Sequence, residues 1–240
     1  MRTDIMGVAF DNVTMEEALD RGMALIAQGG PHLVVTPNAE IVQQARGDEE
    51  FAALIREADL VIPDGVGVVY ASKILGRPLK GRVPGVDFAA GLMDRMAKSG
   101  HRLFLLGARP GVAEEAAARL AAAHPGLVVC GTHDGYFQDD GPVAEAIRAS
   151  GAHVVFVCLG APKQEKWIKK NGEATGASLL IGLGGSLDVF AGKVERAPEA
   201  WQKVGMEWLY RAMKEPARLK RVAKLPLFLC SAVGARLKGR

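Results

Sequence analysis

Apolar positions follow two alternating rhythms along this 240-residue chain. Short unbroken runs rich in Val, Ile and Leu occur at residues 33–35, 60–62, 103–106, 127–130, 154–158 and 179–181, and each predicts a strand. Between them lie stretches in which apolar residues return every three or four positions, the period of a helix packed on one face. Thr14, with Glu17 three residues on, has the spacing of a capping box and predicts a helix through Ala27. An alanine-rich helix is predicted from Gly111 to Ala123, stopped by Pro125, and further helices at 143–149, 163–169 and 201–213. This alternation predicts an α/β, Rossmann-like fold: a mostly parallel sheet with helices on both faces.

Polar residues gather where the predicted strands end. In order, the strands are followed by Thr36-Pro37-Asn38, Pro63-Asp64-Gly65, Gly107-Ala108-Arg109, Asp134-Gly135-Tyr136, Gly160-Ala161-Pro162-Lys163-Gln164 and Gly182-Leu183-Gly184-Gly185. Each cluster taken alone is ordinary turn chemistry. All six fall on the carboxyl edge of a parallel sheet, where open α/β folds bind ligands.

Charge changes the picture at the far end. From Lys203 onward there are ten basic residues and two acids, Glu207 and Glu215, a net of +8; with +3 for the whole chain, the first 202 residues carry −5. A mildly acidic body thus ends in a basic, partly apolar segment suited to an anionic partner. Arg211, Lys214, Arg218 and Arg221 recur at three- and four-residue steps, on one helical face if Pro216 opens a new helix. Leu227, Phe228, Leu229, Val233 and Leu237 follow, mixed with small residues and ending among Arg236, Lys238 and Arg240, a pattern for lying on a bilayer. The sequence shows no run of 18 or more apolar residues and no charged-then-apolar leader, so the expected location is cytoplasmic, peripheral on the inner face of the membrane. The expected division is a core over residues 1–194 and an appendage over 195–240. Cys130, Cys158 and Cys230 are odd in number and widely spaced, which fits free thiols better than a disulfide or zinc site.

Asp64 is the acid best placed for chemistry. It sits just past an apolar strand between Pro63 and Gly65, so a rigid turn would hold its carboxylate at the ligand edge, in position to take a proton from an attacking hydroxyl. Thr36 and Asn38 lie on the neighbouring edge and suit a sugar or phosphate, or the cap of a helix starting near Glu40. Gly182, Gly184 and Gly185 would let backbone amides approach phosphate, with Asp188 nearby. This turn matches neither G-x-G-x-x-G, since Leu187 takes the last glycine's place, nor the Walker loop, which needs G-K-[ST]. No D-x-D triplet is present and the five histidines lack ligand spacing, so no metal and no cofactor are expected. A leaving diphosphate would then be met by cations such as Arg82 and Lys163 and by amides.

Several segments, in order, carry a resemblance to a known family: Thr36-Pro37-Asn38-Ala39-Glu40, Asp64-Gly65, Arg82-Val83-Pro84-Gly85-Val86-Asp87, Gly135-Tyr136-Phe137, Leu159 to Glu165, Arg196-Ala197-Pro198, Glu207-Trp208-Leu209-Tyr210-Arg211 and Glu215-Pro216. Together they closely resemble the WecG/TagA/CpsF glycosyltransferases. The resemblance implies an inverting, metal-independent transferase that moves N-acetylmannosamine, or a related sugar such as its uronic acid, from a UDP-sugar donor. The implied acceptor is the 4-hydroxyl of N-acetylglucosamine on undecaprenyl diphosphate, in teichoic acid or related cell-surface polysaccharide synthesis. By position it makes Asp64 the general base, Thr36, Asn38, Arg82 and Gln164 pocket residues, and Arg211, Arg218 and Arg221 the cations of an appendage that closes over the donor diphosphate and docks on the membrane. Two rivals come from the fold and charge alone. A NAD-dependent oxidoreductase is opposed by the missing dinucleotide fingerprint. A non-catalytic anion-binding module is opposed by the apolar content of the tail, and nucleic acid is not expected as a partner because the tail has no recognisable nucleic-acid motif. The oligomeric state is left open, a homo-oligomer included.

Overall fold

The computed structural model of the chain describes residues 1–198, 200–201, 206–214 and 224–238. Six parallel strands form the central sheet: β3 (His32–Val35), β4 (Leu60–Val61), β5 (Arg102–Gly107), β6 (Val128–His133), β7 (Val154–Cys158) and β8 (Leu179–Gly182). Their spatial order is β4-β3-β8-β7-β5-β6. All six predicted strands are present, with β6 displaced towards its carboxyl end and a register shift against β5 between Leu103 and Phe104. The apolar runs are unbroken because helices cover both faces. Along β7, Val155 and Val157 enter one core while Val154 and Phe156 enter the other, and Leu180 and Ile181 divide in the same way on β8.

One core is closed by α2 (Ala39–Ala45), α3 (Glu49–Glu57), α4 (Val66–Ile74), α7 (Asp140–Ser150) and α8 (Lys163–Thr175). The other is closed by α1 (Met15–Gln28), α5 (Gly85–Ser99), α6 (Val112–Ala123) and α9 (Ser186–Phe190). The predicted box at the start of α1 forms: Thr14 Oγ1 accepts from the amide of Glu17, and Glu17 Oε2 accepts from the amide of Thr14. Several elements have no counterpart in the sequence pattern, α3, α4 and α9 among them. A hairpin of β1 (Arg2–Ile5) and β2 (Val8–Asp11) adds Ile5, Val8 and Phe10 to the first core, and α5 supplies Phe88, Leu92, Met93 and Met96 to the second. The hairpin is fastened by Asp11, 5% exposed, which accepts from the side chains of Arg2 and Arg21 and from the amide of Val61.

Near the end of the chain, α10 (Glu207–Lys214) and α11 (Lys224–Leu237) follow. α11 lies on α4 and α2. Phe228 and Ala232 are buried in the first core, while Leu227, Val233 and Leu237 stay exposed. Of the expected appendage cations, Arg211 falls within α10, and Arg218 and Arg221 lie outside the described residues, as does Pro216. Among the described residues no helix is long and apolar enough to cross a membrane.

The connections at the carboxyl edge decide where ligands fit. The chain leaves β3 for α2 on one face but leaves β8 for α9 on the other, and the same divergence separates β7, followed by α8, from β5, followed by α6. Adjacent strands whose connections part in this way open a crevice between their ends. Neighbouring strands of this sheet part in this way from β3 across to β6, and clefts open at two of these places, at β3 with β8 and at β7 with β5.

Candidate active site

The crevice at β3 and β8 holds a cleft of about 330 Å³ lined by Thr36, Asn38, Asp64, Gln164, Gly184 and Gly185, together with Arg196 and Glu207. Hydrogen bonds stitch its loops together. The amide of Asp64 donates to Pro37 O at 3.2 Å and the amide of Val83 to Pro63 O at 2.9 Å, so the turn carrying Asp64 is held from both sides. Thr36, buried, donates its hydroxyl to Gly182 O at 3.0 Å. Gly65, at φ +88°, turns the chain from Asp64 into α4, and a Cβ there would also press on Asn38 Cβ at 3.3 Å.

Asp64 is half-buried, with its carboxylate on the cleft. Burial pushes its pKa up from the ordinary 3.8 to about 6. The dipole of the Gly85 amide and the Arg82 charge pull the other way, and the nearby Glu207 carboxylate adds to the rise. A carboxylate with this proton affinity is ionised at neutral pH yet basic enough to accept a proton from a hydroxyl.

The remaining expected residues divide by role. Asn38 Oδ1 caps α2 by accepting from the amides of Glu40 and Ile41, and the residue also lines the cleft. Gln164, 2% exposed, has both ends of its amide engaged: Nε2 donates to Glu165 Oε1 at 2.8 Å, and Oε1 accepts from the amide of Gly184 at 2.9 Å. Its geometry is that of a brace fixing the Gly184 loop. Glu165 is itself buried, which raises its pKa, and its Oε2 has no hydrogen-bond partner among the described residues. Arg82, expected as a pocket residue, is not among the residues lining the cleft; it pairs at 3.7 Å with Glu207, which is among them. The loop after β7 reaches the cleft through Gly160 and Ala161, across a cis bond to Pro162.

Arg196 and Glu207 were not singled out from the sequence as site residues. They approach from beyond the sheet, Arg196 more than a hundred residues from Asp87, which it grips with Nη1 at 2.5 Å and Nη2 at 3.3 Å. Only their place in the ordered motifs Arg196-Ala197-Pro198 and Glu207 to Arg211 gave a signal.

The second crevice, at β5 and β7, opens on a wider cleft of about 840 Å³ lined by Arg109, Tyr136, Phe137, Lys163, Asp188 and Lys193. Lys163 Nζ donates to Gly135 O at 3.2 Å and lies 5.2 Å from the centroid of the Phe137 ring. Tyr136 is 71% exposed. Cys158, on the cleft wall, has its thiol pushed by burial to about 12 and is inert as a nucleophile. All three cysteines are free thiols. Among the described residues no three His, Cys, Asp or Glu side chains come together in a group able to hold a metal ion.

Fold and clefts define a Rossmann-like α/β protein whose ligand edge presents an acid of raised proton affinity and, beside it, an aromatic and cationic surface. The Glycosyl transferase WecG/TagA/CpsF family matches residues 3–240, and the chain belongs to that family. It is 38% identical over 200 residues to the N-acetylglucosaminyldiphosphoundecaprenol N-acetyl-beta-D-mannosaminyltransferase of Bacillus spizizenii (strain ATCC 23059 / NRRL B-14472 / W23), covering 83% of this chain and 78% of that one. The enzymes of the same name from Staphylococcus aureus strains MW2 and NCTC 8325 / PS 47 are each 36% identical over 244 residues, covering 99% of this chain and 94% of theirs.

Proposed function

We propose that this protein transfers N-acetylmannosamine from UDP-N-acetylmannosamine to the 4-hydroxyl of N-acetylglucosamine carried on undecaprenyl diphosphate, with inversion at the anomeric carbon. The observation that carries the reading is Asp64: a carboxylate of raised proton affinity at the β3 and β8 crevice, on a turn tied to two neighbouring loops. The names of the relatives supply the acceptor and the sugar.

In this reading the acceptor hydroxyl enters beside Asp64, which takes its proton as the oxygen attacks the anomeric carbon from one face. UDP departs from the other face, and a β-linked product is what one displacement gives from an α-linked donor. The second crevice suits the nucleotide. Tyr136 and Phe137 offer faces for a base, Asp188 a partner for a hydroxyl or ring N–H, and Arg109, Lys163 and Lys193 cations for phosphate. Thr36, Asn38, Gln164, Gly184 and Gly185 shape the sugar end, and Arg196 on the cleft wall and Arg82, paired with Glu207, supply positive charge there. No metal is assigned a step.

Residues 195–240 act as the appendage that completes the site and meets the membrane. The exposed Leu227, Val233 and Leu237 of α11 and the net charge of the tail support this reading. Arg211, Arg218 and Arg221 are assigned to the donor diphosphate by their match to the family motif.

The test is UDP release from UDP-N-acetylmannosamine with a short-chain lipid diphosphate N-acetylglucosamine acceptor, in the presence of a chelator. Acceptor-dependent release that persists with the chelator and collapses in Asp64→Asn is expected. Release that ignores the acceptor, or survives in Asp64→Asn undiminished, overturns the assignment.

A further inference from the structure

Glu207 opens α10 and is largely screened from water, its side chain 13% exposed. An acid in the first turn of a helix has an ordinary explanation in the helix dipole. That explanation does not account for where this one points. Its Oε2 lies 3.7 Å from Arg82 Nη2 and its Oε1 3.6 Å from Arg196 Nε, while Arg196 turns its other two nitrogens to Asp87. The result is an alternating row, Arg82, Glu207, Arg196, Asp87, drawn from three separate segments. Its acid from α10 lines the same cleft as Asp64.

Among the described residues, the two contacts of Glu207 are longer than hydrogen bonds and Arg196 Nε has no hydrogen-bond partner. Glu207 therefore meets these two arginines through charge rather than through a fixed bond. Among the described residues, the carboxylate that Arg82 pairs with is Glu207 and not Asp64. The Arg82 charge also acts on Asp64, so with Glu207 removed nothing in the pair would offset it, and an unbalanced guanidinium beside that carboxylate would hold it ionised and weaken it as a base.

Resting on the transfer reaction proposed above, we infer that Glu207 is a positioning residue for it: by engaging Arg82 and Arg196 it seats α10 at the cleft and keeps the Arg82 guanidinium away from the Asp64 carboxylate. The appended helix then adjusts the base from outside the sheet. The charged groups concerned are Arg82 from the loop before α5, Asp87 from α5, Arg196 from the segment after α9, Glu207 from α10 and Glu40 from α2. Among these, Arg82 favours the ionised form of Asp64 and Glu207 opposes it.

The experiment compares wild type, Glu207→Gln, Glu207→Asp and Arg82→Gln by two readouts. One is the acidic limb of the pH profile of kcat/KM with the donor and acceptor named above. The other is the midpoint of the Asp64 carboxyl titration, followed by 13C NMR in aspartate-labelled full-length protein and assigned with Asp64→Asn. In Glu207→Gln both should move down by about one pH unit. In Glu207→Asp they should stay near wild type, and in Arg82→Gln they should move up. A lower plateau with unmoved midpoints, or movement in the same direction in Glu207→Gln and Arg82→Gln, overturns the inference and leaves Glu207 a strut. Should wild type transfer no sugar, the transfer reading fails, and the NMR midpoints still decide what Glu207 does to Asp64.

Discussion

At the scale of single residues, the site is built from groups that are costly to keep. Asp64 binds its proton more tightly in the folded protein than an ordinary aspartate does. Folded protein therefore holds more protons than unfolded chain between pH 4 and 6, so stability falls as pH rises through that window and stays lowered above it. Asp64→Asn should accordingly raise stability by about 1–2 kcal/mol at pH 8, allowing for the side of the carboxylate open to the cleft. The gain should vanish below pH 4 in urea unfolding curves, while kcat falls by about 10²- to 10⁴-fold. Gln164 presents the opposite balance. Truncating it removes the acceptor for the Gly184 amide and leaves Glu165, already with one orphaned oxygen, without its donor. Gln164→Ala should cost about 2–4 kcal/mol by the same measurement, and Gln164→Glu, which keeps the shape but puts two carboxyl groups side by side, should recover less than half of that.

At the scale of elements, the two crevices depend on loops that pass close to neighbouring strands. Gly107 ends β5 at φ +128°, and a Cβ there would lie 2.3 Å from Cys158 O, a backbone atom that has no room to retreat within the sheet. Gly107→Ala should cost more than about 3 kcal/mol, read as a fall in thermal midpoint, since it combines a forbidden dihedral with a backbone clash. Elements of this kind also set how much of the fold the sequence revealed. Five of the strands were legible because residues buried on both faces leave unbroken apolar runs; β6, a partly exposed edge strand, was legible from its β-branched run alone, and α1 because Thr14 and Glu17 announce it. The β1–β2 hairpin was not. Its turn is Met6-Gly7, with φ of +58° and +92°, and Met lacks the side chain that marks such turns in Asn-Gly or Asp-Gly. α5 was hidden for a related reason: it starts after Pro84 with no side-chain cap, so its apolar period has no punctuation in front. The acid, the asparagine and the glycines of the cleft were readable as strand-end residues, whereas Arg196 and Glu207 reach it only through contacts between distant segments.

At the scale of the whole molecule, the chain has an acidic body and a basic end, and α11 turns Phe228 and Ala232 inward while leaving Leu227, Val233 and Leu237 outside. Replacing Leu227 and Leu237 together by Glu should weaken cosedimentation with anionic vesicles by about a hundredfold, since each leucine loses about 1.5 kcal/mol of transfer energy. Wild-type binding should fall with added salt. A different consequence follows from the order of the strands. The crevice at β3 and β8 and the crevice at β7 and β5 are two strand spacings apart, roughly 10 Å centre to centre. A ligand with its sugar in one and its base in the other must bridge that interval, so the sheet works as a ruler. In the proposed reading, the distance at which the sugar and the base of the donor are held is thereby set by the spacing of hydrogen-bonded strands, before any side chain inspects the phosphates.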